Sequence, residues 1–157
     1  VGSEMCIRDR ITLWVDGPPT MTAFVAVEGR ETAELADLVL HETLHVSDTR
    51  AFYPPSVFRA VDNKLIKRGL RGDTIASARH ILFYLLAGEL VRRHVEPAHE
   101  DQGLTSGYYA RMPGLVEQLQ PQLRSFVIGE VQASAFTDGY TASIAAWLAA
   151  GGEFPDD

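Results

Sequence analysis

Cysteine, an excess of positive charge and long hydrophobic runs are nearly or wholly missing from this sequence of 157 residues. The single cysteine, Cys6, has no partner in the chain for a disulfide. The formal net charge of −7 argues against a general nucleic-acid-binding protein, which needs a basic face. The longest apolar run, residues 81–87, is far too short to cross a bilayer, so we expect no transmembrane segment.

The first ten residues, VGSEMCIRDR, look foreign to the rest of the chain. They resemble the translation of a transposon-based sequencing adapter. We therefore expect residues 1–10 to be non-native and the native N-terminus to be missing, which leaves the cellular compartment unassigned. Residues 11–157 then form one N-terminally incomplete domain, which has neither a disulfide nor a thiol nucleophile.

A His-Glu-x-x-His motif lies in an apolar stretch of the chain, with His41, Glu42 and His45 as its defining residues. Residues four apart share one face of a helix, so His41 and His45 can present two imidazole nitrogens to one metal ion. Glu42 follows about 100° round the helix, beside that point. A buried carboxylate needs a partner, and zinc-bound water is one. The motif predicts a zinc site, with two packed histidines and a surface glutamate as the alternative.

The segments around the motif predict a mainly α protein with a short β portion at its start. The β-rich runs 11–15 and 21–27 flank a turn sequence, Asp-Gly-Pro-Pro, and predict a β-hairpin or strand pair. The expected helices cover about 32–47, 56–68, 75–94, 115–131 with a kink or break at Pro121, and 142–150. A polar loop is expected at 96–113. The fold class is therefore α+β, with the motif helix expected to be central because its apolar residues point in nearly every direction.

A catalytic zinc site usually has three protein ligands and one water molecule, so the motif needs a third ligand. Glu89 is the preferred residue, because small residues precede it and its apolar neighbours would leave an unpaired carboxylate strongly destabilised. The alternative for Glu89 is a salt bridge to Arg92 or Arg93 at helical spacing.

His80 is the alternative third ligand, although it could equally be a core histidine bonded to the backbone. It lies nine residues before Glu89, about 180° round the same predicted helix, so the two residues cannot both face one metal ion. Asp48, near the end of the motif helix, is expected to accept the free N–H of a ligating histidine. The remaining candidate ligands are His94 and His99.

The pattern Val39-x-His41-Glu42-x-x-His45, followed by Gly88-Glu89 on a later helix, resembles the zincin metallopeptidases. It is most similar to the gluzincin type, in which a downstream glutamate is the third ligand, and the resemblance covers about residues 32–93. It implies that His41, His45 and Glu89 bind Zn²⁺ and that Glu42 activates water for attack on an amide carbonyl of a peptide or protein substrate. No Gly-x-x-His follows the motif, unlike in metzincins, and the Asn-Glu-x-x-Ser-Asp form of thermolysin-like enzymes is absent.

The oxyanion formed during amide hydrolysis needs a second electrophile beside the metal ion. Tyr108 and Tyr109 are candidates, with ordinary packing as the alternative. Three functions therefore remain open. The first is a zinc-dependent metallopeptidase or related amide hydrolase, the second a zincin-like protein with a structural or degenerate metal site, and the third a metal-free helical interaction domain.

Overall fold

The computed structural model describes residues 31–48 and 57–154. Over these residues the chain forms six α-helices and a 3₁₀ turn. The helices are α1 (Thr32–Asp48), α2 (Val57–Lys67), α3 (Asp73–His94), α4 (Gln102–Thr105), α5 (Leu115–Val127) and α6 (Ala133–Ala149), and the 3₁₀ turn is Tyr109–Arg111.

The predicted α+β class is wrong, because residues 31–48 and 57–154 contain helices and no strand. The prediction of a β portion depended only on the runs 11–15 and 21–27, which lie outside the described residues. Elsewhere the apolar residues recur at spacings of three and four, which is the helical period. The expectation of a mainly α protein is confirmed.

The central helix is α3, not the motif helix α1. Helix α3 contacts α1, α2, α4 and α5, and its buried residues point in all directions. A helix that is apolar all round is typical of the centre of a helical domain. Helix α1 packs against α3 but keeps an exposed side that includes Val39, which is 37% exposed, and Thr43.

By length and composition alone, α3 could also cross a membrane, and it is the one helix in the described ranges that passes this test. In the structure, 67% of its apolar window is buried inside the protein. The core helix of a helical domain passes the same test, so this property carries little weight.

Helices α2 and α5 each bury one apolar stripe. On α2 the buried residues are Phe58, Val61 and Leu65, at spacings of three and four. Helix α5 continues through Pro121 and ends at Val127, four residues before the predicted end. Its early end is followed by a glycine, Gly129, with a positive φ of 81°.

Helix α6 begins at Ala133, nine residues before the predicted start at residue 142. The added part is rich in Ser, Thr, Asp and Gly, which are poor helix formers. Tertiary contacts offset this weakness: the Tyr140 hydroxyl donates a hydrogen bond of 2.6 Å to the Ala78 carbonyl of α3. Thr141, predicted as the N-cap, lies inside the helix and donates to the carbonyl of Thr137 at 2.8 Å.

The predicted polar loop at 96–113 contains the short helix α4 and the 3₁₀ turn. Asp101 caps α4 by accepting a hydrogen bond of 3.1 Å from the backbone N–H of Leu104. A Cβ atom on Gly88 would collide with the Asp101 side chain. The small residue on α3 therefore admits the start of α4, which places residues 99–102 against α1 and α3.

Candidate metal centre

Helix α1 brings the two motif histidines together as their spacing predicts. The Nε2 atoms of His41 and His45 lie 3.0 Å apart. His41 is completely buried, whereas His45 is partly exposed at the outer end of the pair. Both imidazoles face α3, because α1 packs along that helix.

Helix α3 adds a third imidazole, that of His80. Its Nε2 atom lies 3.2 Å from the Nε2 atom of His41. One potential ligand atom from each of His41, His45 and His80 lies within 4.8 Å of the other two. These three residues, called here the histidine triad, form a group that could hold a metal ion.

Two of the three spacings within the triad are close to those around a tetrahedral metal ion. With metal–nitrogen bonds of about 2.0–2.1 Å, neighbouring ligand nitrogens in a tetrahedron are about 3.3 Å apart. The two distances from His41, 3.0 and 3.2 Å, are close to this value. Each neutral imidazole nitrogen either donates or accepts one hydrogen bond, whereas a metal ion accepts all three lone pairs at once. The three imidazole donors and the two short spacings are therefore compatible with a bound metal ion.

The surroundings keep the triad neutral, which is the form that binds metal ions. Burial and, to a smaller extent, charge repulsion from His45 and His80 together lower the pKa of His41 to about 2. Burial also lowers the pKa of His45 to about 4, with contributions from His80 and Arg79. The pKa of His80 falls to about 4 because of burial and the Arg79 charge.

These pKa values predict that the metal-free protein loses stability in acid. Because the folded-state pKa values of His45 and His80 are about 4, below the ordinary 6.5, the unfolded chain binds more protons as the pH falls. The free energy of unfolding should be undiminished above about pH 6.5 and fall towards pH 4, by roughly 3 kcal/mol for each imidazole. Urea unfolding at several pH values, in the presence of a chelator, measures this change.

The matched control for this prediction is His80→Asn, which removes one titrating imidazole. Its free energy of unfolding should fall less steeply between pH 6.5 and 4 than that of the unsubstituted protein. This control is needed because burial also raises the pKa of Asp37 in the folded protein. Protonation of Asp37 therefore favours the folded state as the pH falls, which is opposite to the effect of the histidines. Identical pH profiles for the two proteins would contradict the assignment to the triad.

Glu42, the predicted general base, is buried next to His41 on α1, with 5% of its surface exposed. Asp48, the predicted partner of a ligating histidine, is the last residue of α1. The Asp48 side chain lies outside what the structure describes.

Glu89, the preferred third ligand from the sequence, is not brought to the triad. It lies nine residues beyond His80, half a turn round α3 and about 13 Å along its axis. Its carboxylate instead forms ion pairs with Arg92 at 3.3 Å and Arg124 at 3.4 Å. The geometry therefore favours His80, the alternative ligand, and gives Glu89 the predicted alternative role of a salt bridge to Arg92.

Tyr84 and Tyr108 form an aromatic wall along the triad. Tyr84 was not among the residues predicted from the sequence. The Tyr84 ring centroid lies 4.1 Å from that of His41 and 4.8 Å from that of His80. The spacing of four residues between His80 and Tyr84 was the available signal. Tyr108 lies 5.5 Å from His80, also measured between ring centroids. Tyr109 contacts Tyr84 at 6.4 Å, and burial and the nearby Asp101 raise the pKa of its hydroxyl.

Asp37 was also missed, one turn before His41 on the motif helix. It accepts a hydrogen bond of 2.8 Å from the Nε2 atom of His99 and one of 2.9 Å from the backbone N–H of Gln102. His99 is therefore paired with a carboxylate, in a second buried cluster beside the triad. These contacts attach the start of α4 to α1 and so stabilise the helix that carries the motif.

His94, the other candidate ligand, lies on the surface at the end of α3. The candidate centre thus consists of the triad, the adjacent Glu42 and the wall formed by Tyr84 and Tyr108. No protein-family model matches the chain, and no curated protein or solved structure is significantly similar to it.

Proposed function

We propose that this protein is a zinc-dependent hydrolase of amide bonds, with metallopeptidase activity as its specific form. His41, His45 and His80 are the proposed ligands, and Glu42 is the proposed general base. The observation that carries the proposal is the convergence of three neutral imidazoles from two helices, at 3.0 and 3.2 Å, beside a buried carboxylate.

Zinc is the metal that best suits these residues. Imidazole ligands bind Zn²⁺, Cu²⁺, Fe²⁺ and Ni²⁺, whereas Mg²⁺ and Ca²⁺ prefer oxygen. Structural zinc sites usually have four protein ligands and are often rich in cysteine, while catalytic sites have three and keep one position for water. In residues 31–48 and 57–154, the group of side chains that could hold a metal ion consists of these three histidines and contains no cysteine. This donor set favours a catalytic role.

Zinc held by the triad would lower the pKa of a water molecule towards neutrality. Glu42 follows His41 directly on α1 and is buried, and in this proposal its carboxylate accepts the proton of that water. It would then deliver the proton to the leaving amine. The buried aromatic wall excludes solvent, and the Tyr108 hydroxyl is the proposed second electrophile for the oxyanion.

The proposal retains the zincin-like pairing of the His-Glu-x-x-His motif with a ligand from a later helix. It replaces the gluzincin-type glutamate, Glu89, with His80. The nine-residue separation of these two residues on α3 means that choosing one as the ligand excludes the other.

Zinc content and metal-dependent hydrolysis test the proposed function together. Protein purified without chelator should contain about one equivalent of zinc, measured by atomic emission, and should hydrolyse a mixture of short peptides followed by mass spectrometry. Chelation should abolish hydrolysis, and added zinc should restore it. Less than about a tenth of an equivalent after purification and after zinc addition would refute the metal site. One bound equivalent without hydrolysis of any peptide would instead indicate a structural site.

A further inference from the structure

The ring of Tyr84 packs directly on two imidazoles of the triad, one from each helix. Its plane is inclined by 32° to that of His41, at 4.1 Å between ring centroids, and by 30° to that of His80, at 4.8 Å. Tyr84 therefore lies nearly face to face with both rings. Rings in close contact restrict one another's rotation, because turning one out of the stack produces a clash or a void in a close-packed interior.

The third imidazole contacts the neighbouring aromatic residue, Phe83. The ring centroids of Phe83 and His45 lie 4.7 Å apart, with an interplanar angle of 74°, so the contact is edge to face. Phe83 is 1% exposed and also contacts Phe58 of α2, at 5.0 Å between centroids. Each imidazole of the triad thus has a ring contact with Phe83 or Tyr84.

The positions of His80, Phe83 and Tyr84 on α3 explain how one helix provides both a ligand and its support. Residues separated by three and four positions share one face of a helix, and this face of α3 packs against α1. Tyr84 is buried and also contacts Tyr108, at 5.0 Å between ring centroids. The support is therefore part of the hydrophobic core, so it cannot move without disturbing the surrounding packing.

A metal site gains affinity when its ligand rings are oriented before the ion binds. The χ2 torsion of histidine is broad, so an unsupported imidazole can turn its nitrogen away from the site. Holding the ring in the binding orientation removes this ordering cost from the binding step. A bound cation also withdraws electron density from the imidazole, which strengthens its attraction to the electron-rich face of a phenol.

We propose that Tyr84 is a positioning residue: its ring stacks on His41 and His80 and fixes their planes, so that the metal site is formed before a metal ion binds. This inference rests on the metal site of the proposed function. Tyr84 acts through the two ligand rings and does not itself bind the ion. Phe83 supports His45 in the same way, from its edge.

Zinc affinity in two Tyr84 variants tests this role. Tyr84→Leu removes the stacked ring and should weaken zinc binding by about 10- to 100-fold, the size of effect typical of residues that orient a ligand. Tyr84→Phe keeps the ring and should restore the affinity to within about threefold of that of the unsubstituted protein. Competition with a chromogenic chelator measures all three affinities.

Tyr109→Leu is the matched control, because Tyr109 and Tyr84 are both 8% exposed and belong to the same core. The ring of Tyr109 contacts those of Tyr84 and Tyr108, at 6.4 Å between centroids in each case. This variant should lose stability towards urea, as Tyr84→Leu does, and keep its zinc affinity. Equal affinities in Tyr84→Leu and Tyr109→Leu would overturn the proposal. A loss in Tyr84→Phe as large as that in Tyr84→Leu would also overturn it, since the hydroxyl and not the ring would then be responsible.

NMR signals of the imidazole rings in the metal-free protein separate this inference from the proposed function, because they require neither zinc nor hydrolysis. In the unsubstituted protein and in Tyr84→Phe, the ring protons of His41 and His80 should give sharp signals with nuclear Overhauser contacts to the ring of residue 84. In Tyr84→Leu the histidine signals should show averaging between ring orientations.

Averaged signals in the unsubstituted protein would overturn the role of Tyr84 even if the protein hydrolyses peptides, and this measurement stays decisive if Tyr84→Leu does not fold. Tight zinc binding without hydrolysis would instead refute the hydrolase and leave the role of Tyr84 intact.

Discussion

Replacing Glu42 with glutamine should lower hydrolysis by about a thousandfold while zinc stays bound. Glutamine has nearly the same shape as glutamate but carries no charge and cannot accept a proton at neutral pH. The three imidazoles of the triad come from His41, His45 and His80, so the ligand set is unchanged. The expected loss is in kcat, because the carboxylate acts on the transition state and not on the binding of the substrate.

The control for this substitution is Glu34→Gln, which changes an exposed acid in the first turn of the same helix. It should keep nearly full activity. Peptide hydrolysis, zinc content and thermal unfolding are measured for both variants. Activity that survives in Glu42→Gln would show that another group is the base. Simultaneous loss of zinc and activity would give Glu42 a role in binding the metal.

Replacing His80 with alanine should weaken zinc binding by at least about a thousandfold, because the site loses one of three direct ligands. Replacing a residue that only orients a ligand weakens binding by about 10- to 100-fold, so the size of the effect distinguishes the two roles. Competition with a chromogenic chelator measures the affinity. Circular dichroism and urea unfolding establish that the variant is folded, since His80 is buried in the central helix.

Glu89→Gln is the decisive comparison for the third ligand. This variant should keep its zinc affinity and lose some stability, because Arg92 and Arg124 lose one charged partner at a carboxylate that is 11% exposed, while Arg92 keeps its ion pair with Asp101. His94→Ala, at an exposed histidine of the same helix, should change neither property. Zinc loss in Glu89→Gln, with tight binding in His80→Ala, would restore the gluzincin-type ligand set.

Most helices could be predicted from the sequence, because the residues that indicate a helix and its ends lie within or next to that helix. Periodic apolar residues and breaking glycines place α2 and α3 within about two residues of their observed ends. The start of α6 could not be predicted in this way. Its first half is held by burial of Phe136 and by the hydrogen bond from Tyr140 to α3, and neither contact is visible in the local residue types.

The candidate site was also predictable only in part, where the arrangement depends on spacing within one helix. Spacing within one helix is enough to place His41 and His45 on one face and Glu42 beside them, because the helical period determines the direction of each side chain. The same period shows that His80 and Glu89 face opposite sides of α3, but it does not show which side meets α1. That choice depends on how α3 is rotated about its own axis when it packs against α1, α2 and α5. Long-range packing sets this rotation, so only the tertiary structure brings His80 to the motif and directs Glu89 to Arg92.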